Sequence, residues 1–170
     1  INTIPSQQYT GEPVEPEVTV RWNQNILAKN TDYIVKYEQN TNAGQAKVII
    51  QGTGNYSGTK EQAFQITAKS IVGGVVAEIP EQQYTETGIT PEITLTVDNA
   101  TLKRDIDYTL QYENNTSCGD AQIIITGTGN YTGSLSTGFK IVPRVISTCT
   151  INKISEQKYT GTEICPPIII

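Results

Sequence analysis

The sequence predicts an all-β protein built from tandem antiparallel β-sandwich units, and two observations carry this prediction. The first is an internal repeat: Ile4–Thr10 reads IPSQQYT, and Ile79–Thr85, 75 positions later, reads IPEQQYT. The second is a series of short runs that alternate apolar and polar residues, separated by turns rich in glycine and asparagine. Because no stretch has convincing helical periodicity, we expect strands throughout.

The repeat defines the units. Between Ile4–Ile66 and Ile79–Ile141 about 28 of the 63 paired positions are identical, with no insertion or deletion. The motif begins a third time at Ile154–Thr160. We therefore expect repeated domains that each contain a complete set of strands.

Three boundaries follow from the period. Unit 1 is expected at residues 1–67 with its N-terminal strand partly truncated, unit 2 at 68–142, and a partial unit 3 at 143–170. The last residues, Ile168–Ile170, match a predicted strand of unit 2, so we expect the chain to be a fragment of a longer protein.

Each unit is expected to contain six or seven strands. In unit 1 we predict strands at Val18–Trp22, Asp32–Tyr37 and Ala46–Ile50, and a last strand that carries Phe64 and Ile66. The segments Asn40–Gly44 and Gly52–Gly58 are predicted turns between them, with glycines available for positive φ. Unit 2 repeats all of these segments 75 positions later.

Composition argues against several classes of function. The chain has no histidine, so it lacks the usual general base at neutral pH and the commonest metal ligand. No nucleophile with a base and no paired carboxylates recur in register, so we expect no enzyme activity and no cofactor. Net charge is −5 with scattered basic residues, which disfavours nucleic acid, and no apolar run predicts membrane insertion of this fragment.

A set of repeated residues resembles the tandem Ig-like repeats of bacterial cell-surface proteins, of the Firmicutes adhesin or stalk type. In unit 1 the resemblance rests on Tyr9-Thr10, Pro16, Leu27, Asp32-Tyr33, Tyr37, Gly44, Ala46, Gly54-Asn55-Tyr56 and Phe64, with their partners 75 residues on. It covers the whole chain and implies an extracellular β-sandwich used in stalks and adhesins. It identifies no ligand, because the shared positions are core and turn positions.

The recurring tyrosines, phenylalanines and aspartates are the candidate structural residues. They are Tyr9, Asp32, Tyr33, Tyr37, Tyr56, Phe64, Tyr84, Asp107, Tyr108, Tyr112, Tyr131 and Phe139. The two aspartates could be read as calcium ligands, but no cluster of carboxylates accompanies them. We expect each to accept backbone N–H groups at the turn before its strand.

The three cysteines and the single tryptophan are not repeated in the other copies. Cys118, Cys149 and Cys165 stand where other copies have Ala43, Gly74 and Thr90. A disulfide between Cys118 and Cys149 would join the exit end of unit 2 to the segment leading into unit 3, and free or otherwise paired thiols are the alternative. Trp22 is replaced by Val97, and its phase with Val18 and Val20 favours a core tryptophan over a sugar-stacking platform.

Short connections favour a semi-rigid rod of units placed end to end. The segment Thr67–Gly74 joins units 1 and 2, with Gly73-Gly74 as the expected softest point, and Val142–Cys149 joins units 2 and 3. We therefore expect a non-catalytic stalk or spacer of an extracellular cell-surface protein, whose partners are the neighbouring repeats. The alternative is a module that binds a glycan or a host protein through loops or a sheet face.

Overall fold

The computed structural model describes residues 1–168, apart from the side chain of Thr148, and within them the fold is nearly all-β. Strands make up 41% and helix 1%, which confirms the predicted all-β class, and the sheets are curled into half-barrels. Ile169 and Ile170, which the repeat assigns to partial unit 3, lie outside the described residues.

The strands of unit 1 and unit 2 follow one another in the order of the repeat. They are β1 (Gln7–Gln8), β2 (Arg21–Trp22), β3 (Asn25–Ile26), β4 (Tyr33–Glu38), β5 (Gly44–Gly52), β6 (Thr59–Thr67), β7 (Lys69–Ser70), β8 (Val75–Val76), β9 (Gln82–Gln83), β10 (Leu95–Val97), β11 (Ala100–Thr101), β12 (Tyr108–Glu113), β13 (Gly119–Gly127), β14 (Tyr131–Thr132) and β15 (Ser134–Val142). Unit 1 thus has six strands, within the expected range, whereas unit 2 has nine because the chain that enters it forms additional pairs.

The larger sheet of each unit has four strands. Its order is β1-β6-β5-β4 in unit 1 and β9-β15-β13-β12 in unit 2. The register repeats as well, since Ala46 lies opposite Phe64 and Ala121 opposite Phe139. Strands joined by hairpins pair antiparallel as predicted, whereas the short first strand of each unit pairs parallel with the last.

A smaller sheet accompanies the four-stranded one, and it differs between the units. In unit 2, β10 pairs with β8 on one side and with β11 on the other. In unit 1 only the hairpin β2–β3 forms, and the strand predicted at Val18–Trp22 is limited to Arg21–Trp22. In unit 2 this strand also pairs with β8, where Thr96 lies opposite Val75, and no described residue of unit 1 takes that place opposite Arg21.

Each unit has its own hydrophobic cluster. The cluster of unit 1 contains Ile4, Val14, Tyr33, Ala46, Val48, Ile50, Phe64 and Ile66. The cluster of unit 2 contains Ile71, Ile89, Leu95, Val97, Leu102, Tyr108, Ala121, Ile123, Ile125, Phe139 and Ile141. Most of these side chains come from the alternating inward positions of the long strands, as the period of two predicts.

The chain after unit 2 has little regular structure in its described part. A single turn of 3-10 helix spans Ile146–Thr148, and residues 149–168 are exposed apart from Pro166. The counterpart segment of unit 2 is packed, since β8 pairs with β10 and Ile89 belongs to the hydrophobic cluster.

Candidate functional site: the junction between units 1 and 2

The junction is built around the connecting segment, which is a strand of unit 2 and not a free linker. Lys69 and Ser70 form β7 and pair parallel with Tyr131 and Thr132 of β14. The N–H of Lys69 donates to the carbonyl of Asn130 (2.9 Å), and the N–H of Ile71 donates to the carbonyl of Thr132 (2.9 Å). Two main-chain hydrogen bonds therefore fix the direction in which the chain leaves unit 1.

Ile71 anchors this strand in the core of unit 2. Its side chain is fully buried in the cluster that contains Leu95 and Val97. Burying an isoleucine contributes roughly 1.5–3 kcal/mol, so the connection is held by packing as well as by hydrogen bonds.

Gly73 and Gly74, the expected softest point of the connection, form a turn against unit 2. The N–H of Gly74 donates to the carbonyl of Ile71 (2.9 Å), and Gly73 has φ +90°. A Cβ on Gly74 would approach Val97 to 2.9 Å and Leu95 to 3.0 Å, so only glycine fits at that depth.

Asn130 bridges the two units with both ends of its amide. Its Oδ1 accepts from the N–H of Ala43 (2.8 Å), and its Nδ2 donates to Oδ1 of Asn42 (3.0 Å). Asn42 and Ala43 belong to the hairpin between β4 and β5, at the end of unit 1 where the chain exits. The sequence predicts only a turn at Asn130, because the identical Asn55 recurs in unit 1 and recurrence does not identify a partner.

Aromatic and charged side chains complete the junction. Tyr9 packs edge to face on Tyr131, with ring centroids 5.6 Å apart and an interplanar angle of 77°. Desolvation, and then the neighbouring Tyr9, raise the pKa of the Tyr131 hydroxyl. Lys69 forms an ion pair with Asp98 at 2.7 Å, which holds the connecting strand against the turn that follows β10.

The remaining recurring aromatics are core residues of the two units. Tyr33, Phe64, Tyr108 and Phe139 are buried, and Tyr84 packs against the cluster of unit 2. None of them forms an exposed aromatic surface.

Two further tyrosines, one in each unit, form hydrogen bonds to a proline that lies 21 residues earlier in the chain. The hydroxyl of Tyr37 donates to the carbonyl of Pro16 (2.6 Å), and that of Tyr112 donates to Pro91 (2.9 Å). Desolvation raises the pKa of both hydroxyls, and of Tyr108. Through these hydrogen bonds the four-stranded sheet holds the proline segment of each unit in place.

The aspartates have the role predicted from the sequence. Oδ2 of Asp32 accepts from the N–H of Ala28 (2.7 Å), and Oδ2 of Asp107 accepts from the N–H of Lys103 (2.8 Å). Each carboxylate closes the turn before its strand. Over residues 1–168, no group of three or more Asp, Glu, Cys or His side chains is placed to hold a metal ion.

The prediction for Trp22 is wrong. Its side chain is 62% exposed and meets Tyr56 edge to face at 6.4 Å, whereas its counterpart Val97 is buried. Val97 is covered by Gly74 and the connecting strand, and no described residue of unit 1 occupies the equivalent position over Trp22. Val18 and Val20 pack against the cluster as their phase predicts, but Trp22 lacks the covering layer that Gly74 places over Val97.

All three cysteines are free and exposed, so the disulfide between Cys118 and Cys149 is not formed here and stays a prediction. Cys118 corresponds to Ala43, which lies at the junction. Cys149 corresponds to Gly74, where the nearest atoms to an added Cβ belong to Val97, Ile71 and Leu95 of unit 2. Cys165 lies in the exposed tail and its thiol contacts Glu163 at 3.7 Å.

Comparison with known proteins adds no relative: the chain matches neither a model of a known protein family nor a curated protein at a significant level. In the described part of the chain, no helix is both long and apolar enough to cross a membrane.

Proposed function

We propose that the chain is a non-catalytic spacer, made of Ig-like β-sandwich units placed end to end in the stalk of an extracellular, adhesin-like cell-surface protein. The junction carries this proposal. A connection that is itself a strand of the next unit, with Ile71 buried and Asn130 bridging back to unit 1, leaves little free chain between the units. Such a connection transmits orientation from one unit to the next, which is what a spacer requires.

The construction of each unit supports the Ig-like part of the proposal. A four-stranded sheet and a smaller sheet flank one hydrophobic cluster, as in a sandwich. The extracellular setting and the stalk role follow from the resemblance of the repeated residues. The partners of each unit in this proposal are the neighbouring repeats.

Small-angle scattering of the chain tests the spacer role. We expect an elongated particle, with a radius of gyration well above the roughly 15 Å of a compact globule of this length. The control carries a Gly-Ser insertion of about six residues between Thr67 and Ala68, which keeps Ile71 and β7 in unit 2 but detaches unit 1. Its distance distribution should be broader than that of the parent chain. A compact, folded-back particle, or no difference between the two proteins, would contradict the proposal.

One observation favours the alternative of a glycan-binding or host-protein-binding module. Trp22, which is exposed, and Tyr56, which is half-buried, form an aromatic pair that lines a cavity of about 400 Å³. The pair is not repeated, because Val97 replaces the tryptophan and Tyr131 is engaged in the junction. Screening the chain and its Trp22→Ala variant against glycan and host-protein arrays separates the two functions. Hits that disappear in the variant would favour binding, and the spacer proposal expects none.

A further inference from the structure

The first and the last strand of each four-stranded sheet are direct neighbours and run in the same direction. In unit 1, β1 pairs parallel with β6, with Gln7 opposite Ile66 and Gln8 opposite Thr67. In unit 2, β9 pairs parallel with β15 at the same positions of the repeat. We call these two contacts the terminal pairs. The other ladders of the two sheets are antiparallel.

Further hydrogen bonds extend each terminal pair beyond its two paired residues. The N–H of Tyr9 donates to the carbonyl of Thr67 (2.9 Å), and the N–H of Tyr84 donates to that of Val142 (2.9 Å). In unit 1 the hydroxyl of Thr67 also donates to the carbonyl of Gln7 (3.1 Å). Because Val142 has no hydroxyl, the terminal pair of unit 1 has a side-chain bond that the pair of unit 2 cannot form.

The strand that connects the units is held in the same way. β7 pairs parallel with β14 of unit 2, and Ala68 alone separates the end of β6 from the start of β7. A pull on unit 1 is therefore transmitted from one parallel pair to the next through a single residue.

Tension along the chain acts on the terminal pairs in shear. The pull draws the first strand toward its N-terminal end and the last strand toward its C-terminal end. Since the two strands are parallel, these ends lie at opposite ends of the pair, and the strands must slide along each other. All hydrogen bonds between them are then strained together, whereas an antiparallel hairpin pulled at its open end separates one bond at a time.

We propose that the terminal pairs are mechanical clamps, which keep the units folded when the chain is stretched from end to end. Breaking several hydrogen bonds in one step raises the barrier to unfolding, and unfolding under force is governed by this barrier and not by the equilibrium free energy. The inference goes beyond the spacer role, because it concerns resistance to tension and not the separation of the units. It rests on the strand pairing inside each unit and would stand if the particle proved compact.

The test is unfolding of the 170-residue chain at constant force, with a peptide tag at each end as the handle. Full extension of Gln7–Thr67 and of Lys69–Val142 releases roughly 20 and 25 nm of chain, at about 3.5 Å per residue, so the step length identifies the unit. We expect each unit to unfold in one step. Gradual lengthening at low force, without resolved steps, would overturn the inference.

Two proline variants locate the barrier in unit 1. Since the N–H of Tyr9 points to β6, that of Gln7 does so too, and that of Gln8 points away to the open edge. Gln7→Pro removes a donor from the terminal pair, whereas Gln8→Pro places the ring where an edge strand tolerates it. The lifetime of unit 1 under force should fall at least about tenfold in the first variant and change less than about twofold in the second. Equal lifetimes in the two variants would contradict the clamp.

A core variant separates resistance to force from stability. Val48→Ala shortens a fully buried side chain of β5, outside the terminal pair. It should lower the denaturant midpoint of unit 1 at least as much as Gln7→Pro does, but it should shorten the lifetime under force less. If the lifetimes of all variants follow their denaturant midpoints, the terminal pair is not the barrier and the inference is wrong.

A milder pair of variants applies if the proline variants do not fold. Thr67→Val removes the hydroxyl that bonds to Gln7 and keeps the shape of the side chain. Thr59→Val is the same change at the other end of β6. The first should shorten the lifetime of unit 1 under force several-fold, and the second should leave it unchanged. An equal effect of both, or none in the first, would exclude the terminal pair as the barrier.

Discussion

At the scale of single residues, identical side chains have different roles in the two units because their neighbours differ. Asn130 bonds to both Asn42 and Ala43 across the junction, whereas the side chain of Asn55 makes no hydrogen bond with the described residues. The sequence could predict that both lie in a turn. The sequence could not predict that Asn130 has a partner, because its partners, Asn42 and Ala43, belong to the other unit.

This difference gives the first prediction, on Asn130→Ala. Although the residue lies in unit 2, its replacement should lower the free energy of unfolding of unit 1 by about 1–2 kcal/mol, because two hydrogen bonds to the hairpin of unit 1 are lost. The measurement is denaturant unfolding followed by Trp22 fluorescence, which reports on unit 1.

The matched control is Asn55→Ala, the same change at the same position of the other unit. It should alter stability by no more than about 0.5 kcal/mol, as is usual at exposed positions without partners. If the two variants have the same unfolding midpoint, the Asn130 bridge does not stabilise unit 1.

At the scale of elements, the long strands were predictable from the sequence and the short ones were not. Strands β4, β5 and β6 and their counterparts in unit 2 carry an alternating pattern that places one face in the core, and the predicted turns lie between them. The smaller sheet of unit 2 depends on β8, which the entering chain contributes. Local pattern therefore predicted Val18–Trp22 as a strand, but only Arg21 and Trp22 pair in unit 1.

The second prediction concerns the contact of β7 with the turn after β14. Gly133→Ala and Gly58→Ala place a methyl group on backbones with φ of +87° and +89°, so both pay a similar conformational cost of about 1–2 kcal/mol. Only the first also pushes against Val72 and Ser70 of the connecting segment. Hydrogen exchange of the Lys69 and Ile71 amides should accelerate in Gly133→Ala and stay unchanged in Gly58→Ala. Equal exchange rates in the two variants would contradict the contact.

At the scale of the whole molecule, the two units share a fold but differ in how completely their cores are closed. In unit 2 the entering chain adds Ile71 to the cluster and buries Leu95, Val97 and Leu102. In unit 1 the counterparts of these three, Val20, Trp22 and Leu27, are not among the buried residues. The repeat predicts the same strands in both units, with the first strand of unit 1 partly truncated, and the difference in closure arises because the connecting segment completes the cluster of unit 2.

The last prediction is that unit 1 unfolds before unit 2. Each large apolar side chain that is fully buried adds roughly 1.5–3 kcal/mol, so the closed cluster of unit 2 should be more stable by several kcal/mol. Trp22 lies in unit 1, and its fluorescence should change at a lower denaturant concentration than the far-ultraviolet circular dichroism, which reports the strands of both units. A variant with a second copy of Thr67–Val75 joined in front of Ile1, which keeps the register of the repeat, gives unit 1 the connecting segment that unit 2 has and should bring the two midpoints together. Coincident midpoints in the parent chain would mean that the junction couples the units more strongly than their cores differ.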